Sequence, residues 1–237
     1  MFGFMKAKNS GIISSFNPFT FSNSVSYKKI ISKTLRDFKE ETFSLYPKAL
    51  TKKEIYTIYE NVSFESDKLL FETSKVNYFM IQVLPGKIGS EFHKTNAFEI
   101  KKNDVSFPGV FEVMSGFGVV LIENLEEDGK ELNIVKVKTG DKFVLSENYC
   151  CTIWNCGEES LIISGIRGKE TSFEFGSLRK QYGPSLFFTD NGFVKNKNIS
   201  PFYILHEYDG SFMLDFKFEK DLYEEFKLLP EKFNFLN

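Results

Sequence analysis

The sequence has 237 residues, which suits one domain with a full hydrophobic core, or one domain with sizeable extensions. Its net charge is −2 and its lysines are scattered, so composition gives no electrostatic case for a nucleic-acid or membrane-surface partner. No apolar run approaches the length needed to span a bilayer.

The three cysteines are clustered at Cys150, Cys151 and Cys156. An odd, clustered set without a secretory leader is typical of reduced thiols, so we expect a cytoplasmic protein. Neighbouring cysteines rarely bridge each other, and free cysteine is commonly a small core residue. We expect Cys150 and Cys151 to lie in the core.

The first elements are predicted from local pattern. Residues 1–26 lack a sustained period and predict an irregular arm, with a short strand at 19–21, that packs on the domain or on a second subunit. Helical spacing of apolar residues predicts a helix over 27–46. Thr51 and Glu54 have capping-box spacing and predict a short helix, and residues 56–62 alternate like a strand.

The middle of the chain reads mostly as short strands separated by turn dipeptides such as Pro85-Gly86, Ser115-Gly116 and Asp128-Gly129. Strands without intervening helices favour an antiparallel sandwich or barrel. The predicted strands are 68–73, 78–83, 90–94, 97–101, 110–114, 118–124, 131–137, 142–145, 152–155 and 161–166.

The C-terminal part continues with hairpins. Asn191-Gly192 predicts a hairpin turn after a strand at 186–190, and Asp209-Gly210 predicts a second hairpin between 202–208 and 211–218. An apolar face over 220–229 predicts a final helix that Pro230 stops. We therefore divide the chain into an arm (1–26), a main domain (27–202) and a C-terminal hairpin-and-helix extension (203–237).

Several motifs carry a family resemblance. The run PGKIGSEFHKT at 85–95, the Gly-x-Gly turn at Gly116 and Gly118, KTGD at 138–141, NCGE at 155–158 and IRGKETSFEFG at 166–176 follow one register. They resemble the cupin-type glucose-6-phosphate isomerases over residues 29–202. The resemblance implies an all-β cupin, a double-stranded β-helix barrel, with a helical N-terminal extension, and a homodimer.

In that family a His-x-His pair, a Glu and a final His hold a catalytic metal. The resemblance places the pair at Phe98 and Ile100, the Glu near Pro108 or Gly109, and the final His at Cys151. Phenylalanine and isoleucine cannot bind a metal. The sequence therefore predicts no metal at the family position, and no catalytic residue is assigned.

The resemblance also places substrate-binding residues. Thr95 lies where the family contacts phosphate, Tyr149 is the aromatic residue before the final His position, and Arg167 replaces a pocket Tyr. Two further polar pocket positions carry Phe173 and Phe175, which predicts a more apolar pocket. A sugar phosphate needs several donors, of which Thr95 and Arg167 would supply some.

An alternative metal site can be written from nearby residues. Glu91 and His93 have the i, i+2 spacing of one strand face, and Cys151 could join them to hold a divalent metal. The structural interpretation makes Glu91 and His93 ordinary polar residues at a strand end. His206, the other histidine, is expected to be structural or exposed.

Two functions follow from these residues. One is an aldose–ketose isomerase that interconverts glucose 6-phosphate and fructose 6-phosphate, with a carboxylate as base. Glu112 is the nearest carboxylate to the lost Glu, but alternation with Phe111 points it out of the barrel. The other is a metal-free, non-catalytic cupin that binds a small sugar-like molecule or a partner protein.

Overall fold

A computed structural model describes residues 10–38, 41–43, 51–125, 130–199, 203–212 and 218–237. Strands dominate this part of the chain. In chain order they are β1 (Ile13–Phe16), β2 (Phe19–Phe21), β3 (Val25–Ser26), β4 (Lys29–Thr34), β5 (Glu54–Glu60), β6 (Ser63–Phe64), β7 (Val76–Val83), β8 (Lys87–Ile88), β9 (Glu91–Phe92), β10 (Phe98–Lys102), β11 (Val105–Ser106), β12 (Gly109–Ser115), β13 (Phe117–Asn124), β14 (Lys130–Lys138), β15 (Lys142–Leu145), β16 (Tyr149–Asn155), β17 (Leu161–Gly168), β18 (Ser172–Phe175), β19 (Leu186–Thr189), β20 (Gly192–Lys195) and β21 (Tyr203–Asp209).

Helices are short. The α-helices are α1 (Lys68–Thr73) and α2 (Leu222–Leu228), and 3-10 helices cover Leu35–Phe38, Glu65–Asp67, Arg179–Gln181 and Pro230–Leu236. None of the helices in the described residues is long and apolar enough to cross a membrane.

Two large sheets form the barrel. One has the spatial order β15-β12-β17-β7-β5-β4, and the other has the order β11-β10-β16-β13-β14-β21, with β18 also paired to β10. Side chains alternate between the two faces of each strand, so each sheet turns one apolar face toward the other. This is the all-β cupin fold that the sequence predicts.

The main core lies between the two sheets. Phe79, Phe111 and Ile163 enter it from the six-stranded sheet, whereas Phe98 and Cys151 enter from the seven-stranded sheet. The outer face of the six-stranded sheet is covered separately by the N-terminal hairpin β1–β2, α1 and α2. The hairpin β19–β20 contributes to a third cluster, on the outer face of the seven-stranded sheet.

Most predicted strands between 76 and 168 are confirmed, and the hairpin at Asn191-Gly192 is β19–β20. The expected strand at 19–21 is β2, and the arm packs on the barrel because Ile12 and Ile13 are buried in the cluster that covers the six-stranded sheet. That arm is less irregular than predicted, since it forms a hairpin. Residues 1–9 and the Asp128-Gly129 turn lie outside the described residues.

Three N-terminal predictions are wrong. The segment predicted as a helix over 27–46 contains β4, which pairs with β5, followed by the 3-10 helix Leu35–Phe38. Pairing with a sheet edge overrode the helical spacing. Glu54 begins β5 and does not form a capping box, and residues 44–50 lie outside the described part. The predicted strand at 68–73 is α1, whose Leu and Glu residues are good helix formers.

The C-terminal helix is confirmed as α2, with Leu222, Tyr223 and Phe226 fully buried and Asp221 as its N-cap. The predicted second hairpin is different. Its first arm, β21, pairs in parallel with β14, and Phe212 then bridges to Phe143 of β15. The chain thus crosses from the edge of one sheet to the edge of the other. The second predicted arm falls mostly on residues 213–217, which lie outside the described part.

Candidate functional site in the barrel interior

The positions that the family uses for its metal lie inside the barrel. Phe98 pairs with Cys151 across β10 and β16, and Ile100 pairs with Phe173 on β18. Phe98, Ile100 and Cys151 are completely buried. Burial raises the pKa of the Cys151 thiol well above its usual value, with a further contribution from the Glu123 carboxylate. The Cys151 sulfur is therefore an apolar core group at neutral pH.

A cluster of phenylalanine rings fills the same interior. The ring of Phe98 lies 5.2 Å from Phe173 and 6.1 Å from Phe111, centroid to centroid. Phe111 in turn stacks on Phe143 at 4.9 Å, and Phe79 meets Phe173 edge-on at 4.9 Å. Such aromatic pairs contribute about 0.5–1.5 kcal/mol each beyond the burial of area. The interior is thus stabilised as an apolar core.

Gly109 is one of the two residues, with Pro108, at which the resemblance places the family's Glu. It begins β12 on the same face as Phe111, so a side chain here would point inward. A Cβ atom at Gly109 would lie 2.3 Å from Cδ1 of Ile100 and 3.2 Å from Cε2 of Phe111. The space of a carboxylate is occupied by Ile100.

These residues do not fit a metal. Two of the four family positions carry hydrocarbon side chains. The third falls on Pro108 or Gly109, neither of which has a side-chain ligand atom, and the fourth carries a buried thiol in an apolar core. Among the residues that the structure describes, no three His, Cys, Asp or Glu side chains are grouped so that they could hold a metal ion.

Glu91 belongs to a buried ion pair. Its carboxylate contacts Nζ of Lys94, and both side chains are almost completely excluded from solvent. The same carboxylate accepts hydrogen bonds from the backbone N–H of Phe43 at 2.9 Å and from Nε1 of Trp154 at 3.4 Å. Lys94 also donates to the carbonyl of Glu41 at 2.6 Å. This network fixes the segment 41–43 against the barrel.

His93 is held by neighbours on both ring nitrogens. Nδ1 lies 3.0 Å from the carbonyl oxygen of Leu84 and donates to it, which leaves Nε2 to accept from Nζ of Lys53 at 3.3 Å. The ring also packs on Gly86. The pKa of His93 is lowered to about 4, mainly by burial and secondly by the charge of Lys53. The hydrogen bond to the Leu84 carbonyl acts in the opposite direction and raises this pKa.

Glu91, His93 and Cys151 are therefore not gathered into one ligand set. Glu91 faces Lys94, His93 faces Lys53, and Cys151 faces the barrel interior. The pairing of Lys94 with Glu91 was not predicted from the sequence, because an i, i+3 spacing indicates a side-chain pair only on a helix.

Two of the three predicted substrate residues, Thr95 and Tyr149, lie apart. Thr95 is buried, and its Oγ1 accepts from the backbone N–H of Ile153 at 3.1 Å. Tyr149 begins the same strand as Ile153, about 13 Å away at the usual rise per residue. It is half-buried, and its hydroxyl donates to Glu131 at 3.0 Å. Their role in binding stays a prediction.

Arg167 is occupied by an internal network. Its Nη2 lies 2.8 Å from Oε1 of Glu60, and its Nη1 donates to Thr171 and to the carbonyl of Gly168. The guanidinium also lies 5.2 Å from the Phe173 ring centroid. Burial lowers its pKa, and the Glu60 carboxylate opposes that shift. A phosphate would have to displace this network.

Glu112 points out of the barrel, as its alternation with Phe111 predicts. It pairs with Nζ of Lys142 at 3.0 Å and accepts from the backbone N–H of Leu222 at 2.7 Å. Burial raises its pKa, and Lys142 partly opposes this. Glu112 joins α2 to the barrel wall and does not face the interior. His206 is exposed on β21, 3.9 Å from Glu131.

The model of the glucose-6-phosphate isomerase family matches residues 33–204. The chain belongs to the cupin-type glucose-6-phosphate isomerase family. This agrees with the register of motifs between residues 85 and 176. None of the curated proteins matches the chain significantly.

Solved structures give distant similarities. Vicilin from hazelnut (Corylus avellana) has 10% identity and a TM-score of 0.40, over 51% of this chain and 31% of that chain. Pumpkin seed globulin has 14% identity and a TM-score of 0.39, over 51% of this chain and 33% of that chain. The coconut allergen cocosin has 10% identity and a TM-score of 0.40, over 65% of this chain and 36% of that chain. The matched region spans about a third of the length of these proteins.

Proposed function

We propose that this member of the glucose-6-phosphate isomerase family is a metal-free, non-catalytic binding protein. The observation that carries the proposal is the barrel interior. Phe98, Ile100 and Cys151 stand at three of the four positions at which the family holds its metal, and Pro108 or Gly109 stands at the fourth. Isomerisation through an enediol needs a base and a group that stabilises the developing negative charge. The phenylalanine cluster offers neither of them.

The substrate side supports the same proposal. The Arg167 guanidinium is paired with Glu60, and Glu112, the carboxylate nearest to the lost Glu position, is turned to α2 and away from the aromatic cluster. The function left to the fold is binding, with a small sugar-like molecule or a partner protein as the ligand. We place the protein in the cytoplasm as a homodimer, because its cysteines form an odd, clustered set typical of reduced thiols and because the family is usually dimeric.

The second candidate is an active glucose-6-phosphate isomerase, which the family match over residues 33–204 favours. In this case the reaction would need a site other than the family's, since the residues at the family's metal-ligand positions cannot hold a metal.

The two candidates separate in one experiment. The purified full-length chain is analysed for bound metal, and its conversion of glucose 6-phosphate is assayed with and without added Mn, Fe, Ni or Zn. We expect substoichiometric metal and turnover at the background rate. An authentic isomerase in the same assay is the control. Stoichiometric metal together with turnover would overturn the proposal.

Light scattering on the same sample measures the oligomeric state. A mass of twice 27.4 kDa is expected for the homodimer.

A further inference from the structure

A cleft of about 110 Å³ lies outside the barrel interior, beside α1 and the start of β7. Its apolar floor comes from Val62, Phe71 and Val76, which belong to the cluster on the outer face of the six-stranded sheet. None of these residues takes part in the aromatic cluster inside the barrel. Any ligand of this cleft is therefore independent of the family's metal position.

The charge of the cleft is positive. Lys28, Lys68 and Lys169 line it, against a single acidic residue, Glu72. Lys68 forms an ion pair with Glu65 at 2.6 Å. In the described part of the chain, no carboxylate forms an ion pair with Lys28 or Lys169. This positive site contrasts with the net charge of −2 for the whole protein.

A fixed polar group lies between the lysines and the floor. Asn77 lines the cleft and is only 3% exposed. Its Oδ1 accepts from the backbone N–H of Asn61 at 2.8 Å, which fixes the orientation of the amide. The remaining group, Nδ2, can only donate, and none of the described residues accepts from it. In the cleft, Nδ2 can donate to solvent or to a bound acceptor.

We infer that this cleft binds a small dianionic oxyanion, a phosphate group that is either free or carried by a small organic molecule. Two ammonium groups without acidic partners supply charge-assisted hydrogen bonds, and the amide of Asn77 supplies a neutral donor. The apolar floor accommodates the organic part of a phosphate ester. The inference does not rest on the barrel being inactive, because the two sites share no residue.

The test measures phosphate binding to the full-length chain by titration calorimetry at fixed ionic strength. Inorganic phosphate and glucose 6-phosphate are titrated separately, with methyl glucoside as the neutral comparison. We expect saturable binding of phosphate at one site per chain, and no binding of methyl glucoside. Tighter binding of glucose 6-phosphate than of phosphate identifies an ester as the occupant, and equal binding identifies free phosphate.

A double variant, Lys28→Met with Lys169→Met, tests whether the phosphate binds in this cleft. Both lysines are exposed, so their replacement should leave the fold intact. We expect binding at least about tenfold weaker, because two charge-assisted contacts are lost. The matched control is Lys138→Met with Lys197→Met, which makes the same change in net charge at exposed positions outside the cleft. This control is expected to bind like the parent chain.

A third variant, Asn77→Asp, replaces the amide donor by an acceptor and should also weaken binding. Equal weakening in both lysine pairs would overturn the inference, since it would show long-range charge alone. The absence of saturable binding in the parent chain would overturn it as well. Neither result bears on the isomerase assay, so the two proposals fail separately.

Discussion

His93 is a titratable residue whose surroundings favour the neutral ring. A folded-state pKa of about 4, against 6.5 in the unfolded chain, means that the unfolded state binds more protons between these values. The free energy of unfolding therefore falls on acidification, by about 2 kcal/mol between pH 7 and pH 5. Denaturant unfolding at both pH values measures this loss.

The variant His93→Gln checks the cause. It keeps a side chain that can donate to Leu84 and accept from Lys53, but it does not titrate, so its pH dependence should be weaker by that amount. His206→Gln, which changes the only other histidine, should keep the full dependence. An NMR titration that placed the His93 ring near 6.5 would contradict the prediction.

Lys94 is predicted to be essential for stability. The variant Lys94→Met leaves the buried carboxylate of Glu91 without its cation and should cost about 3–5 kcal/mol of unfolding free energy. Lys87→Met is the matched control, because Lys87 pairs with Asp190 at 3.2 Å on the surface and should cost less than about 1 kcal/mol. Equal effects in the two variants, measured by urea unfolding, would argue against a buried pair.

At the scale of single elements, β12 shows how a lost ligand became a packing position. We expect Gly109→Ala to cost about 1–3 kcal/mol, because the added methyl overlaps Ile100 and crowds Phe111. In an Ile100→Val background, which removes Cδ1, the cost should fall. The comparison is a double-mutant cycle in urea.

Gly157→Ala provides the control for that cycle. A Cβ atom at Gly157 meets its nearest neighbour at 3.5 Å, an ordinary contact, so a change within about 0.5 kcal/mol is expected. If Gly109→Ala were equally neutral, the interior of the barrel would have to be looser than its ring contacts indicate.

The elements also show what the sequence could and could not predict. Alternation and turn dipeptides were sufficient for β12, β13 and β17, because a buried sheet face enforces a period of two. These signals failed at β4, where pairing with β5 overrides a helical pattern of apolar residues. They also failed at α1, which is too short to show the helical repeat of apolar residues. The parallel partner of β21 depends on tertiary contacts that no local signal records.

The sequence was sufficient to predict which residues lie at the candidate site, but not which side chains they contact. The family register indicates which residues replace the ligands, and Phe98 and Cys151 do lie opposite each other. It does not indicate that Arg167 pairs with Glu60, 107 residues away, or that Lys94 pairs with Glu91. Both pairs depend on which side chains the folded barrel brings together.

At the scale of the whole molecule, the C-terminal segment is a structural cover for the six-stranded sheet. Phe226 is fully buried and lies 4.6 Å from Phe71 of α1, ring to ring. The variant Phe226→Ala should cost about 3–5 kcal/mol. Leu228→Ala, two residues along on the exposed side of α2, should change stability by less than about 0.5 kcal/mol.

Thermal and urea unfolding of the two variants test whether residues 203–237 belong to the cooperative unit. A second, earlier transition in Phe226→Ala, with the main transition unchanged, would instead show that the C-terminal extension unfolds independently.

The contact between Tyr223 and β6 has a consequence for synthesis. The Tyr223 hydroxyl accepts from the backbone N–H of Phe64, 159 residues earlier in the chain. Contacts of such sequence separation form late, because the intervening chain must first be ordered. The part of the outer apolar face of the six-stranded sheet that α2 covers therefore stays exposed on a nascent chain until α2 has left the ribosome. Apolar surface exposed during that interval is prone to aggregation.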